Sequence, residues 1–368
     1  MKHLKRIPAP LRIFFFASIG ILLLLPLFRF FPAFADWFTR FPASYFRLGL
    51  GAVSSLFPFS IFEWSIILGI CYLIFLLIFI PITLLRRKKE KKTLRIIPFL
   101  TVVPVVLLTV LDLFTLTFAS SYYRPSPLGE IAPDVESVTQ EDVFHTLESL
   151  IGIVNETAPS LEKDDKGASV ALPLGEINQR VKKACDDFGS QNDFYQTKGY
   201  KAKTFVSSPL MTYTHISGIF GFFTGEANVN TNYPHFIITP SLAHESSHAR
   251  GIAPENECNF LSAVILMESE DPYLRYCGAS FVLDDFISVC RKLDRERTNE
   301  MLQSLDPVFA ADMAAYSEFF APYRDSAASK VADAANSTYL KSMGQKEGTV
   351  SYSRIIRLTA AYFREKTT

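Results

Sequence analysis

The segment HESSHARGIAPENECN, His244 to Asn259, decides how the rest of the chain is read. On a helix, His244 and His248 stand one turn apart on one face, so two imidazoles can bind one zinc ion. Glu245 lies between them, within reach of a water on that metal. Zinc lowers the pKa of such a water toward ~7, and the Glu245 carboxylate takes its proton as hydroxide attacks. Thr239-Pro240-Ser241 precedes the motif, and proline is preorganised for the first turn of a helix. Gly251 follows where a helix C-cap is expected. Pro254 then opens a second helix, Glu255 to about Ser269. Such a helix–turn–helix returns a carboxylate to the two histidines. The plainer alternative is a solvated polar helix with no metal.

Two carboxylates compete for the third ligand position. Glu255 and Asn259 are four apart and share a face, whereas Glu257 points about 160° away from Glu255. If Glu255 binds, Asn259 can stand behind it as a hydrogen-bond partner. If Glu257 binds, the residue four along is Leu261, which offers no such support. Glu255 is therefore the favoured ligand and Glu257 the alternative. Cys258, three residues from Glu255, reads as a small buried residue in helix packing.

The chain has 368 residues, 49% of them hydrophobic, with 33 Phe and a formal net charge of zero. Those averages conceal two halves. Residues 1–119 are apolar and aromatic, while 120–368 have the composition of a soluble domain large enough for a substantial core. Three segments of the first half, about 12–31, 61–85 and 96–119, are each long enough to cross ~30 Å of hydrocarbon. Asp112 interrupts the third, either as a functional contact inside the bilayer or as a helix–helix hydrogen bond. Residues 44–59 are shorter and mixed, which suits an interfacial or re-entrant segment. The first span also has the basic start and Ala33-Phe34-Ala35 of a signal peptide, but its apolar core is too long, so an uncleaved anchor is expected.

Lysine and arginine set the orientation. Residues 86–95, RRKKEKKTLR, hold seven basic residues, and Lys2, Lys5, Arg6 and Arg12 cluster at the N-terminus. The loop between the first two spans has only Arg29, Arg40 and Arg47. Both strongly basic segments belong in the cytoplasm, which places residue 120 onward outside it. A run this short between two spans is a poor nucleic-acid site. Of the five cysteines, Cys71 is in a span. Cys185, Cys258, Cys277 and Cys290 are in the exported domain, as up to two disulfides of undecidable pairing or as free thiols.

The exported domain reads as mostly helical. Gln140–Thr157, Leu174–Gly189, Pro272–Leu293, Pro307–Tyr323, Asp325–Met343 and Tyr352–Arg364 carry helical patterns, with Val143, Leu147, Leu150 and Ile151 on one face of the first. Lys203–Ser208, Thr212–Ile219 and Ala227–Tyr233 are short, β-branched or aromatic, and punctuated by Gly and Pro, as strands of a small sheet are. In GFFTGEANVN, residues 221–230, Asn228 and Asn230 alternate with Val229. This strand, so near the metal helix, is either a substrate strand that pairs with an extended peptide or a structural hairpin.

At these residues the chain resembles a family of bacterial membrane proteins of unknown function that carry a zinc-metallopeptidase signature. The resemblance rests on the N-terminal spans, Tyr122-Tyr123-Arg124-Pro125, Thr224–Asn230, and the pattern HELAHxxGxxxExEANF, which runs here from His244 to Phe260. Tyr339-Leu340-Lys341 through Gly348, and Tyr352–Leu358, add to it. It implies a zincin-type site with His244, His248 and Glu255 as zinc ligands and Glu245 as base. The Glu-x-x-x-Asn arrangement is also similar to the Glu-x-x-Ala-Asp helix of membrane M48-type peptidases. The chain departs from the pattern at Ser246-Ser247, Ala249 and Cys258, none of which is a ligand or the base.

The expectation is an α+β, predominantly helical protein. Three N-terminal transmembrane helices precede a zincin-like domain with a small β-sheet. Its function would be zinc-dependent hydrolysis of peptide bonds in the bacterial cell envelope, with a peptide or protein as substrate. A second oxyanion donor is not identifiable, with His215, His235 and Tyr352 as candidates. The competing class is a non-catalytic envelope sensor or scaffold with a structural zinc. Such sites commonly take a fourth protein ligand and have no need of Glu245.

Overall fold

The computed structural model describes residues 8–90, 97–342 and 352–367. The chain divides into two compact units, Met1–Arg124 with Gly221–Glu226, and Pro125–Phe220 with Ala227–Thr368. The break between the units falls at Arg124/Pro125. The assignment of Gly221–Glu226 to the first unit is not apparent from composition.

The first unit is helical. Its elements are α1 (Ala9–Leu22), α2 (Leu24–Phe30), α3 (Pro32–Arg40), α4 (Pro42–Ser55), α5 (Ile61–Glu90), α6 (Ile97–Phe114) and α7 (Ser120–Tyr123). Three stretches among the described residues are long and apolar enough to cross a membrane: Ala9–Phe30, Ile61–Leu85 and Thr101–Tyr123. The third runs on past the apolar segment because Ser120 and Ser121 are buried within the unit, and Thr39 donates to Ser120 at 2.8 Å. Residues 44–59 fall mostly in α4, whose 14 residues are too few to span. The basic segment 86–95 begins in α5, and its remainder lies outside the described residues.

Polar groups in this unit are matched to one another. Asp112 accepts a hydrogen bond from the Ser18 hydroxyl at 2.6 Å, so it joins the third apolar stretch to the first. Between α6 and α7 the backbone forms a π-helical turn, Thr115–Ala119, which shifts carbonyls off their α-helical partners. The buried Arg47 guanidinium donates to Thr117 O at 2.8 Å and to Thr39 O at 3.1 Å. Glu226 caps α5: its carboxylate accepts from the Ile61 N–H at 3.1 Å and the Phe62 N–H at 2.7 Å. A negative charge suits the positive end of that helix. Phe222 packs edge-on against Phe114 at 5.3 Å, and Phe223 packs against Phe62 at 5.2 Å. The GFFTGE turn therefore behaves as part of the apolar-helix unit.

The second unit comprises α8 (Gln140–Thr157), α9 (Leu174–Gln191), β1 (Lys203–Thr204), α10 (Ser208–Thr212), β2 (Gly218–Gly221), β3 (Glu226–Val229) and α11 (His235–Ala249), followed by α12 (Glu255–Met267), α13 (Pro272–Leu293), α14 (Arg295–Leu302), α15 (Pro307–Phe320), α16 (Ala327–Ser342) and α17 (Tyr352–Thr367). A capping box of Thr139 and Asp142 starts α8. Its stripe of Val143, Leu147, Leu150, Ile151 and Val154 is buried against α13. Apolar α12 is enclosed by α11, α13 and α17, with Leu261, Val264, Ile265 and Leu266 fully buried. Burial of this kind contributes roughly 1.5–3 kcal/mol per large aliphatic side chain. The two helices that carry His244, His248 and Glu255 thus belong to the buried centre of the unit. All five cysteines are free thiols, and all but Cys71 are buried.

The sheet is smaller than the sequence suggests. Its order is β1-β3-β2, with β1 parallel to β3 and Lys203 opposite Asn228. Each of the three expected segments contributes a strand, but β1 keeps only the start of the first and β2 only the end of the second, with turns between them. Pro209, fixed near a helical φ, sits in the first turn of α10, where Lys203–Ser208 was expected to end and Thr212–Ile219 to begin. His215 then takes a left-handed φ of 59°, which interrupts an extended strand. The helix that carries His244 and His248 also starts earlier than expected. It begins at His235, so Pro240 lies inside α11 and not in its first turn.

Candidate metal centre

His244 and His248 project from one face of α11, with ring centroids 4.8 Å apart. Glu255, in the first turn of α12, faces both. Its Oε2 is 3.1 Å from His244 Nε2 and its Oε1 is 3.6 Å from His248 Nε2. One donor atom from each of the three residues lies within 4.8 Å of the others, a group able to hold a metal ion. Glu257 is outside this group and buried. Burial raises the Glu255 carboxyl pKa, but His248 and then His244 outweigh it and hold the group below the usual carboxylate range. Glu255 is therefore an anion at neutral pH. His248 is almost fully buried while Glu255 is about one-third exposed, at 34%, so the cluster is enclosed on one side and open on the other.

The turn between the helices does more than connect them. Gly251 has φ +97°, where an L side chain is strained. The Gly251 N–H donates to His248 O at 3.0 Å and the Ile252 N–H to Ser247 O at 3.1 Å, the paired bonds of a Schellman motif. That reversal sets the Ile252 carbonyl 2.8 Å from His248 Nδ1. A carbonyl only accepts, so Nδ1 carries a proton and Nε2 is the ring nitrogen that faces the cluster. Cys258 packs behind the same ring, with its sulfur 3.3 Å from Nδ1 and 3.4 Å from Ile252 O. Burial pushes its thiol up to about 11, so it stays neutral.

Glu245 points to the opposite wall. Its carboxylate is buried against β2, so closely that a Cβ on Gly218 would lie 2.7 Å from Oε1. Burial raises its pKa, which the neighbouring histidines and a backbone hydrogen bond from Phe220 partly oppose. Oε2 is buried and has no hydrogen-bond partner among the described residues. An acceptor left in that state is costly unless something transient uses it. Gly218 and Phe220 have no sequence pattern linking them to Glu245, and only the fold reveals them.

The two serines that depart from the family pattern are accommodated. Ser247 donates to Ala243 O at 2.8 Å and meets the Tyr195 hydroxyl at 3.0 Å. Arg250, 1% exposed, donates to Asp186 at 2.5 Å and to Ser246 O at 3.3 Å, which ties the end of α11 to α9.

Other expected residues lie elsewhere. Asn228, Val229 and Asn230 are fully buried and cannot receive a substrate strand, because β3 is the inner strand and is paired on both sides. The Asn228 amide donates to Ile219 O at 3.3 Å, and the Asn230 amide to Ile216 O at 3.0 Å, so both hold the hairpin together. Asn259 is half-buried, and its side chain makes no hydrogen bond to Glu255 among the described residues. His215 Nε2 contacts Tyr323 O at 2.8 Å. His235 lies between the Tyr273 hydroxyl and Ser169 O, at 2.8 and 2.9 Å. The side chain of Tyr352 is outside the described residues.

A family model described as a protein of unknown function, DUF3810, matches residues 41–360. The chain belongs to the DUF3810 family. The match covers the second and third apolar stretches, the hairpin and both metal-motif helices. Comparison with curated proteins and with solved structures returns no match.

Proposed function

We propose that this DUF3810 protein is a membrane-anchored, zincin-like zinc metallopeptidase of the bacterial envelope. One observation carries the reading: two imidazoles and an anionic carboxylate converge while a buried carboxylate, Glu245, stands beside them with one oxygen unpartnered. The donor set suits zinc. Bonds of about 2.0–2.1 Å in a tetrahedron separate ligand atoms by roughly 3.3 Å, and the two Glu255–histidine separations of 3.1 and 3.6 Å bracket that value. Three protein ligands with an open side are the pattern of a catalytic site.

A zinc ion held by His244, His248 and Glu255 would polarise a carbonyl and make a nearby water more acidic. The remaining work falls to the chain. Glu245 takes a proton from the attacking water and returns it to the leaving amine, and its burial raises the basicity this needs. Gly218 leaves room for the carboxylate. β2, the marginal strand beside Glu245, is the one whose backbone can align an extended peptide. The similarity of Glu255-x-x-x-Asn259 to the M48-type helix supports the same ligand set.

Metal analysis and peptide digestion of the purified full-length protein test this reading. About one zinc per chain is expected, with hydrolysis lost on chelation and recovered on adding zinc. Bound zinc without cleavage of any member of a broad peptide library would sink the peptidase and leave the structural zinc.

The lysine and arginine asymmetry supports a catalytic unit outside the cytoplasm. A reporter fused after Glu130 is expected to be active only outside, and one fused at Glu90 only inside. The reverse pattern would reject that orientation.

A further inference from the structure

The segment around α10 is built inside out. Val206, Leu210 and Tyr213 are 76%, 73% and 45% exposed. They recur at helical spacing on one face with Pro209, also exposed. The opposite face, Ser208 and Thr212, is buried. Its hydroxyls are bonded within the unit. Ser208 donates to Phe205 O at 2.8 Å and accepts from the Thr231 N–H at 3.0 Å, and Thr212 accepts from the Asn230 amide at 3.2 Å. Polar contacts therefore pin the turn, and the apolar side chains face outward in a fixed arrangement. That reverses the usual sense of an amphipathic turn in water.

The flanking charge has one sign. Between Asp193 and Glu226 the sequence contains Lys198, Lys201 and Lys203 and no acidic residue. Lys198 and Lys201 are exposed. Tyr200, at 36%, and Tyr213 add amphipathic rings, which favour the level of lipid headgroups. Eight residues after Tyr213 the chain reaches Gly221, already part of the unit of apolar helices.

We infer that Val206–Tyr213 is a membrane-contacting segment. Its apolar face enters the headgroup region, and the exposed Lys198 and Lys201 meet anionic lipid. An apolar surface with a basic border is the form that binds anionic bilayers, by buried area and charge together. A peptide-binding surface would explain the apolar face but not the exposed Lys198 and Lys201 beside it, on a stretch of sequence with no acidic residue. The inference does not depend on metal or catalysis.

The full chain can be tested in vesicles of phosphatidylcholine alone or mixed with phosphatidylglycerol. Cys71 is the exposed cysteine, so a Cys71→Ala, Leu210→Cys protein accepts a polarity-sensitive dye at one accessible thiol. The dye is expected to emit to the blue, to be quenched by nitroxide lipids and to be shielded from iodide supplied on both sides. The effects should be stronger with phosphatidylglycerol. Adding Lys198→Glu or Lys201→Glu should weaken docking in the anionic vesicles by about fivefold for each change. A dye at Lys292→Cys, an exposed site on α13, should show iodide quenching only. Iodide quenching without nitroxide quenching at position 210 would overturn the inference, as would equal nitroxide quenching at both positions. Shielding that appears only when an apolar peptide is added would also overturn it and assign the surface to peptide.

Discussion

Glu245→Gln is expected to keep the fold, the bound zinc and the melting temperature while lowering peptide hydrolysis by about 10²-fold or more. The amide has the shape of the carboxylate and cannot take a proton. Three features make the substitution clean. Glu245 is outside the His244–His248–Glu255 group, so metal content has no reason to fall. Its Oε2 has no partner among the described residues, so no bond is lost there. Its pKa is already raised by burial, so a neutral group suits the buried wall at least as well as the anion does. The measurements are zinc per chain, thermal melting and kcat/KM on one cleaved peptide. A scaffold with a structural zinc predicts a silent change. If a deletion strain is rescued fully by the Glu245→Gln protein but not by His244→Ala, the scaffold is the better description.

The parts of this site that depend on local spacing were legible in the sequence. Two histidines four apart share a helix face in any fold, and Gly251-x-x-Pro254 can only turn the chain. Helical periodicity showed only that one of Glu255 and Glu257 can face the histidines, and the choice of Glu255 rested on Asn259 standing behind it, a hydrogen bond not made among the described residues. Long apolar runs were equally legible, because backbone in hydrocarbon must satisfy its own hydrogen bonds as helix. What was not legible depends on pairing across distance. Alternating Asn228-Val229-Asn230 looks like a half-exposed strand, but two neighbours cover β3, and its asparagines bond the hairpin from within. Pro240 looks like a helix start because sequence cannot show that α11 already began at His235. The contact of Gly218 with Glu245 joins residues 27 apart with no motif between them. The aromatic GFFTGE turn gave one retrospective signal: Phe222 and Phe223 at a hairpin tip are out of place in water and in place among apolar helices.

Glu255→Ala is expected to abolish stoichiometric zinc, with affinity falling by well over the ~10–100-fold typical of losing a partner behind a ligand. Glu257→Gln is expected to retain it. The two residues lie in the same first turn of α12, carry the same group and differ in direction. Glu255 bridges both imidazoles, at 3.1 and 3.6 Å, and stays anionic because the histidines oppose the effect of burial. Its loss leaves two neutral ligands in a partly buried site, too little to hold a divalent ion firmly. Glu257 is buried away from the group, so its amide replacement keeps the packing and tests the charge alone. Zinc retained per chain after dialysis against a weak chelator reads the difference directly, and thermal melting confirms that both proteins are folded. Loss of zinc from the Glu257→Gln protein with retention by Glu255→Ala would exchange the two roles. It would also remove the argument that the Gly251 turn delivers the third ligand, because that turn aims Glu255 and not Glu257 at the histidines.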